Sequence, residues 1–281
     1  MYIIFMDINQ ALVVYKSIPN LKYRKERSRK RRIQQELSEH FATLDELDGI
    51  LKSCGIRYRL CSVKRLKGIG KADLVITVGG DGTLLTTAHF ALKQPILGIN
   101  SFGAHSVGYF CAATRETMPG YIKSVIEGGR KLTKLNRLQV EIGKRKIPDL
   151  ALNDVLFAHP SPAAASNYKI QINGRREEQK SSGVWISTAA GSTAAIQSAG
   201  GKTLPINSFK MNYLVREPYS HKRRYKILKG TIPPTASVKI TSFARHGAVF
   251  LDGYTTSYPV PFESTVTIRN SKHPLSIFWR R

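Results

Sequence analysis

The run Ala72-Asp73-Leu74-Val75-Ile76-Thr77-Val78 ends abruptly in Gly79-Gly80-Asp81-Gly82-Thr83. An apolar, largely β-branched stretch of this kind reads as a strand buried on both faces of a parallel sheet. The residues from Leu84 to Leu92 can start a helix. In open α/β sheets, ligands collect just past the carboxyl ends of such strands. Gly79, Gly80 and Gly82 give the backbone access to positive φ and let a phosphate come close to its N–H groups. Asp81 is the odd residue in that turn. A bare carboxylate repels phosphates, so it is expected to accept a proton or help hold a metal. The same residues would also suit a tight strand-to-helix turn with Asp81 as the helix cap.

The chain before residue 130 alternates strand and helix signals. Strands are expected at Tyr2 to Phe5, Arg57 to Ser62, Leu74 to Val78 and Pro95 to Ile99. A helix is expected over Lys25 to Lys52, where Ile33, Leu37, Phe41, Leu44 and Leu47 recur at three- and four-residue spacings. Another covers Met118 to Ile126 and ends at Gly128-Gly129. This alternation predicts an α/β N-terminal domain with a parallel sheet, Rossmann-like, over residues 1–129. After Gly129 the texture changes to short β-rich runs: Lys131 to Ile142, Ala151 to Phe157, Tyr168 to Ile172, Val184 to Ser187, Arg224 to Leu228, Ser237 to Thr241, Ala248 to Leu251 and Ser264 to Ile268. Residues 130–281 are therefore expected to form a β-rich, mostly antiparallel C-terminal domain, with Pro274 to Arg281 packing back as a strand on the first.

Lys and Arg number 44 against 19 Asp and Glu, a formal net charge of +25. The segment from Arg24 to Arg32 holds seven bases and one acid, +6, which leaves +19 distributed elsewhere. Nucleic acid or small anionic substrates are the partners such a charge attracts. The basic run lacks interleaved aromatics, which argues against nucleic acid and for a solvated basic surface. The cluster His221 to Lys226 alternates enough to be a charged strand edge. No stretch reaches the ~18 consecutive apolar residues of a membrane span, and the N-terminus reads as a strand instead of a signal peptide. Cys54, Cys61 and Cys111 are odd in number and lack metal-ligand spacing. They read as reduced thiols in a cytoplasmic protein.

Three further segments could carry chemistry. Gly98-Ile99-Asn100, with the turn running on to Phe110, leaves the next strand at the same sheet edge and could wall the phosphate pocket, with Asn100 a candidate contact. Asn153-Asp154 interrupts an apolar run and could reach sugar hydroxyls or a base amine, or could mark a strand end or bulge. Ser187-Thr188-Ala189-Ala190-Gly191-Ser192-Thr193-Ala194-Ala195, with a trailing Ser198-Ala199-Gly200-Gly201, offers small side chains against which a flat nucleotide can lie. A close helix–sheet contact would need the same small residues.

The four motifs in this order resemble the NAD kinase family, over residues 72 to 260. Val215-Arg216-Glu217-Pro218-Tyr219 and Leu251-Asp252-Gly253 look like its late motifs. The long loop after Asn100 and the segment around Gly191 look more like the mitochondrial-type and related bacterial members. The resemblance implies an ATP- and Mg2+-dependent kinase that phosphorylates the adenosine ribose 2′-hydroxyl of NAD to give NADP. Asp81 matches the aspartate that serves as base, and Gly79, Gly80, Gly82 and Thr83 match the phosphate loop. Asn153 and Asp154 match an asparagine–acid pair, usually Asn-Glu, that contacts the dinucleotide. Gly191, Thr193, Ala194 and Ser198 match the NAD pocket. The resemblance does not assign metal ligands. It also implies a homodimer or homotetramer. The chain departs from the pattern at Ser182-Gly183, where many members have Asp-Gly, at Ala195, where many have Tyr, and at Phe102-Gly103, where Asp-Pro is usual. A lipid kinase of the diacylglycerol or sphingosine type shares the Gly-Gly-Asp-Gly-Thr turn, and a non-catalytic nucleotide- or nucleic-acid-binding relative is the other rival reading.

Overall fold

The structure, a computed structural model, describes residues 7–17, 27–102, 106–219 and 224–279. The chain forms two compact units, Met1–Thr133 with Leu275–Arg281, and Lys134–Pro274.

The first unit is organised by a seven-stranded sheet. Its strands are β1 (Gln10–Tyr15), β2 (Arg57–Ser62), β3 (Leu74–Gly79), β4 (Ile96–Asn100), β5 (Ala113–Thr114), β6 (Leu132–Leu135) and β19 (Leu275–Phe278). They lie in the order β2-β1-β3-β4-β19-β6, with β5 also beside β4. The pairs β1–β2, β1–β3, β3–β4, β4–β5 and β4–β19 are all parallel. Three helices accompany the sheet: α1 (Arg27–Ser53), α2 (Asp81–Ala88) and α3 (Met118–Ile126). Every residue of β3 and β4 is buried, which explains why they are apolar apart from Thr77 and Asn100.

The strand expected at residues 2–5 lies outside the described residues, and the first described strand is β1, one apolar run later. Helix α1 buries Ile33, His40, Thr43, Leu47 and Leu51, whereas Phe41 is 44% exposed. Phe41 belongs to the apolar spacing that marked the helix, but not to its buried face. The buried stripe runs instead through two polar residues whose hydrogen bonds are satisfied inside: His40 by Ser101, past the end of β4, and Thr43 by the Glu39 carbonyl one turn back.

The second unit has two antiparallel sheets of six strands. One comprises β7 (Leu138–Ile142), β8 (Arg145–Ala151), β10 (Ser166–Ile172), β11 (Arg175–Ser181), β15 (Ser237–Ser242) and β18 (Thr265–Asn270), in the order β11-β10-β15-β18-β7-β8. The other comprises β9 (Asp154–Ala158), β12 (Val184–Ser187), β13 (Met211–Val215), β14 (Lys229–Ile232), β16 (Gly247–Leu251) and β17 (Thr256–Val260), in the order β14-β13-β12-β9-β16-β17. Both sheets contribute to one core that includes Val140, Phe157, Tyr168, Ile186, Ile240, Val249 and Ile268. Each fully buried apolar side chain of this size contributes roughly 1.5–3 kcal/mol relative to exposure.

Two strand expectations are corrected here. Residues 224–228 form no strand, and β14 begins at Lys229. The Lys226 and Ile227 amides donate instead to the Glu177 carboxylate of β11. The charged edge expected at His221 to Lys226 therefore does not form over its described part, residues 224–226, and the rest lies outside the described residues. The run Ala151 to Phe157 is not one strand either. β8 ends at Ala151 and β9 starts at Asp154, so Leu152 and Asn153 carry the chain from one sheet to the other.

Candidate functional site

In the first unit, β3 stops at Gly79 and α2 begins at Asp81. Gly79 has φ +157, and a Cβ there would run into the Thr83 side chain, so the turn can close only without one. Asp81 does not cap its own helix: the N-cap is Gly80, with no side-chain cap. Its two carboxylate oxygens reach across to the loop that follows β4. Oδ2 accepts from the Tyr109 N–H at 2.9 Å and Oδ1 from the Phe110 N–H at 2.8 Å. Tyr109 and Phe110 in turn pack edge-on against Trp279, with centroids 5.1 and 6.2 Å away. The acid's position is thus set by a loop braced on the residue that follows β19.

Asp81 is half-buried and borders a cavity of about 710 Å³ together with Gly80, Gly82, Thr83, Lys16, Ser17, Lys64, Glu36 and Ser106. Lys16 and Ser17 follow β1, at the same carboxyl edge of the sheet. The ammonium of Lys16 sits 3.8 Å from the Phe102 ring centroid. Phe102 is stacked on its other contact, His40, at 5.2 Å and 26°. His40 shares a 2.7 Å hydrogen bond between Nδ1 and the Ser101 hydroxyl. Burial and the Lys16 charge push His40 down to about 4, so its ring is neutral at pH 7.

Of the residues expected in the phosphate turn, Gly80, Asp81, Gly82 and Thr83 share this cavity. Asn100 is not on its wall. Its side chain is used inside its own loop, accepting from the Phe102 N–H and donating to the Ser106 carbonyl, both at 3.2 Å.

In the second unit, Asn153 and Asp154 border a separate cavity of about 420 Å³ with Ala194, Ala195, Leu156, Trp185, Arg216, Phe250, Asp252 and Tyr254. The chain after β12 is stitched to the 152–153 turn. The Thr188 hydroxyl donates to the Leu152 carbonyl at 2.5 Å, and the Gly191 N–H donates to that hydroxyl at 3.0 Å. A Cβ on Gly191 would collide with the Asn153 carbonyl, which is why a glycine stands there. Thr193 donates to the Ala190 carbonyl at 3.2 Å, ahead of the one-turn helix α4 (Ala195–Ser198). Thr193 and Ser198 are not on the wall of this cavity. Burial raises Asp154 from the usual carboxylate range to about 6.

Lys16, Lys64 and Trp185 were not singled out from the sequence, and Arg216 was named only within a late motif, with no role. Lys16 had a signal, as the first residue past a buried strand. Arg216 and Trp185 stack at 4.8 Å from neighbouring strands, and nothing local in sequence announces that pair. Among the described residues no three His, Cys, Asp or Glu side chains converge as a metal site, and no helix is long and apolar enough to cross a membrane. Cys54, Cys61 and Cys111 form no disulfide with one another.

A carboxylate fixed in a glycine turn at the carboxyl edge of a parallel sheet, in a chain that continues into an antiparallel β-rich unit, defines an α/β-plus-β protein with an acid poised on a cavity. The profile described as "ATP-NAD kinase N-terminal domain" matches residues 20–130. A probable NADH kinase of Oryza sativa is 34% identical over 232 residues, covering 74% of this chain and 71% of the relative. The NADH kinase of Arabidopsis thaliana is 34% identical, covering 75% and 74%. The NAD kinase of Thermoplasma acidophilum is 32% identical, covering 72% of each. Among solved structures, the fold is shared with an Archaeoglobus fulgidus NAD kinase in complex with ATP (TM-score 0.72, 21% identity, 97% of this chain and 94% of that one). It is also shared with yeast NADH kinase complexed with NADH (TM-score 0.72, 17% identity, 99% and 85%). The chain belongs to the NAD kinase family, a family of phosphotransferases.

Proposed function

We propose that this kinase transfers the γ-phosphoryl group of ATP to the 2′-hydroxyl of the adenosine ribose of NAD, giving NADP. One observation carries the reading: Asp81 stands half-buried, held by two backbone N–H groups, on a cavity that also bears Lys16 and Lys64. In this reading Asp81 accepts the hydroxyl proton as the oxygen attacks phosphorus. The N–H groups around Gly80 and Gly82, with the two lysines, offset the charge of the transferring group. In this reading Asn153, Asp154 and Ala194, which border the second cavity, contact the dinucleotide, and Gly191 shapes the turn beside Asn153. NADH is a second acceptor to test, because the rice and Arabidopsis relatives are named NADH kinases.

The residues fit a divalent cation that arrives on the donor. Asp81 and Glu36 are the carboxylates bordering the cavity, and Mg2+ prefers substrate phosphates with one or two carboxylates to an all-protein cage. Bound there, Mg2+ would neutralise charge on the donor phosphates. The proposal includes a cytoplasmic homodimer or homotetramer, to be checked by sedimentation and fractionation.

The test incubates the purified chain with ATP, Mg2+ and either NAD or NADH, and reads the product with an NADP-specific dehydrogenase. Asp81→Asn is expected to lower turnover by roughly 10²–10⁴-fold while calorimetric dinucleotide binding survives. Turnover near wild type in that variant would remove Asp81 from the mechanism, and phosphate appearing on lipid instead of dinucleotide would replace the reading.

A further inference from the structure

We propose that Asp252 is a positioning residue for the Asn153–Asp154 turn, an inference that rests on reading that turn as a dinucleotide contact. Asp252 follows β16 with φ +53, a left-handed conformation that brings its side chain back over the 152–154 backbone. Three successive N–H groups converge on its carboxylate. Oδ2 accepts from Leu152 at 2.8 Å, and Oδ1 accepts from Asn153 at 2.6 Å and Asp154 at 3.2 Å. The Asp252 N–H in turn donates to the Asp154 carbonyl at 3.0 Å. Consecutive amides cupped around an anion form a strong, directional clamp.

The negative charge at the centre of the clamp is balanced from within the unit. Arg137 is fully buried, its Nε donating to the His273 carbonyl at 2.8 Å. Burial pushes its guanidinium down to about 10, and the Asp252 charge opposes that shift. The buried cation and the clamped anion therefore stabilise one another.

The turn carries a buried side-chain acceptor with no hydrogen-bond partner among the described residues. Asn153 Oδ1 is buried and accepts no hydrogen bond, while Asn153 lines the 420 Å³ cavity. An acceptor left in that state suits an amino or hydroxyl group of a bound nucleotide. Where that acceptor points depends on the backbone at residue 153, and Asp252 holds that backbone. Asp252 thus acts on the acceptor site through Asn153 and Asp154.

The experiment compares full-length wild type with Asp252→Asn, which keeps the shape but loses the anion, and Asp252→Glu, which keeps the anion. It reads KM for the dinucleotide, KM for ATP, kcat, dinucleotide Kd by calorimetry, and amide exchange at residues 152–154. Asp252→Asn is expected to raise dinucleotide KM and Kd roughly 10- to 100-fold, the scale of a misplaced contact. KM for ATP should stay within about two-fold, and exchange should quicken at 152–154 before it does elsewhere. Asp252→Glu should recover part of the affinity, and it decides in the same readouts if Asp252→Asn does not fold. A lowered melting temperature with dinucleotide KM and Kd unmoved, or unchanged exchange at 152–154, overturns the inference. A wild type that binds dinucleotide without phosphorylating it leaves the clamp standing and removes the kinase reading. A wild type that binds no dinucleotide removes both.

Discussion

His40 carries a consequence for acid stability. Its folded value of about 4 lies below the ordinary histidine value of 6.5, because burial and Lys16 disfavour the charged ring. Between those values the unfolded chain takes up a proton that the folded one refuses. The stability present above pH 6.5 is therefore lost progressively as pH falls toward 4, at up to roughly 1.4 kcal/mol per pH unit. Asp154 runs the other way: burial raises it from 3.8 to about 6, so between those values the folded state binds the extra proton and stability rises as pH falls. The two partly cancel in wild type. Subtracting the denaturation curve of His40→Gln from that of wild type should isolate the His40 slope, and a pH-independent difference would remove this account. The residue scale is also where the sequence was least explicit. Asp81 could be named from its glycines, but its partners, the Tyr109 and Phe110 amides, lie 28 and 29 positions away. Nothing in the local pattern favours that pairing over a helix cap.

Elements were legible where burial alternates cleanly and obscure where polar groups line the inside. β10 turns Tyr168, Ile170 and Ile172 inward, and its period-2 pattern was readable as a strand. Its neighbour β11 turns Gln179 and Ser181 inward, 4% and 1% exposed. Both bond the buried Tyr168 hydroxyl, at 3.0 and 2.8 Å. A strand whose inner face is satisfied by hydrogen bonds has no apolar signal to read. The loop from Ser106 to Phe110 belongs to the same scale, because its Tyr109–Phe110 end is held by Asp81 through the backbone and by Trp279 through the rings. Trp279→Ala removes the edge-on aromatic contacts, worth about 0.5–1.5 kcal/mol per pair beyond area burial. The expected result is faster amide exchange at Tyr109 and Phe110 and reduced turnover with Asp81 unchanged. Exchange at wild-type rates would show that the loop does not depend on the brace.

For the molecule as a whole, a net charge of +25 should draw in anionic nucleotides from a distance. Raising ionic strength from about 0.05 to 0.5 M shortens the screening length to a few ångströms. KM for both substrates should then rise several-fold while kcat changes little, and a flat KM across that range would assign the basicity to solvation alone. Of the strands in the first sheet, the one that joins β4 to β6 is the last in chain order. During translation the first sheet therefore waits, with β4 open at Ile96 and Leu97, until residues 275–278 have left the ribosome. An N-terminal half expressed by itself would lack an interior strand and would present a raw parallel edge to aggregation.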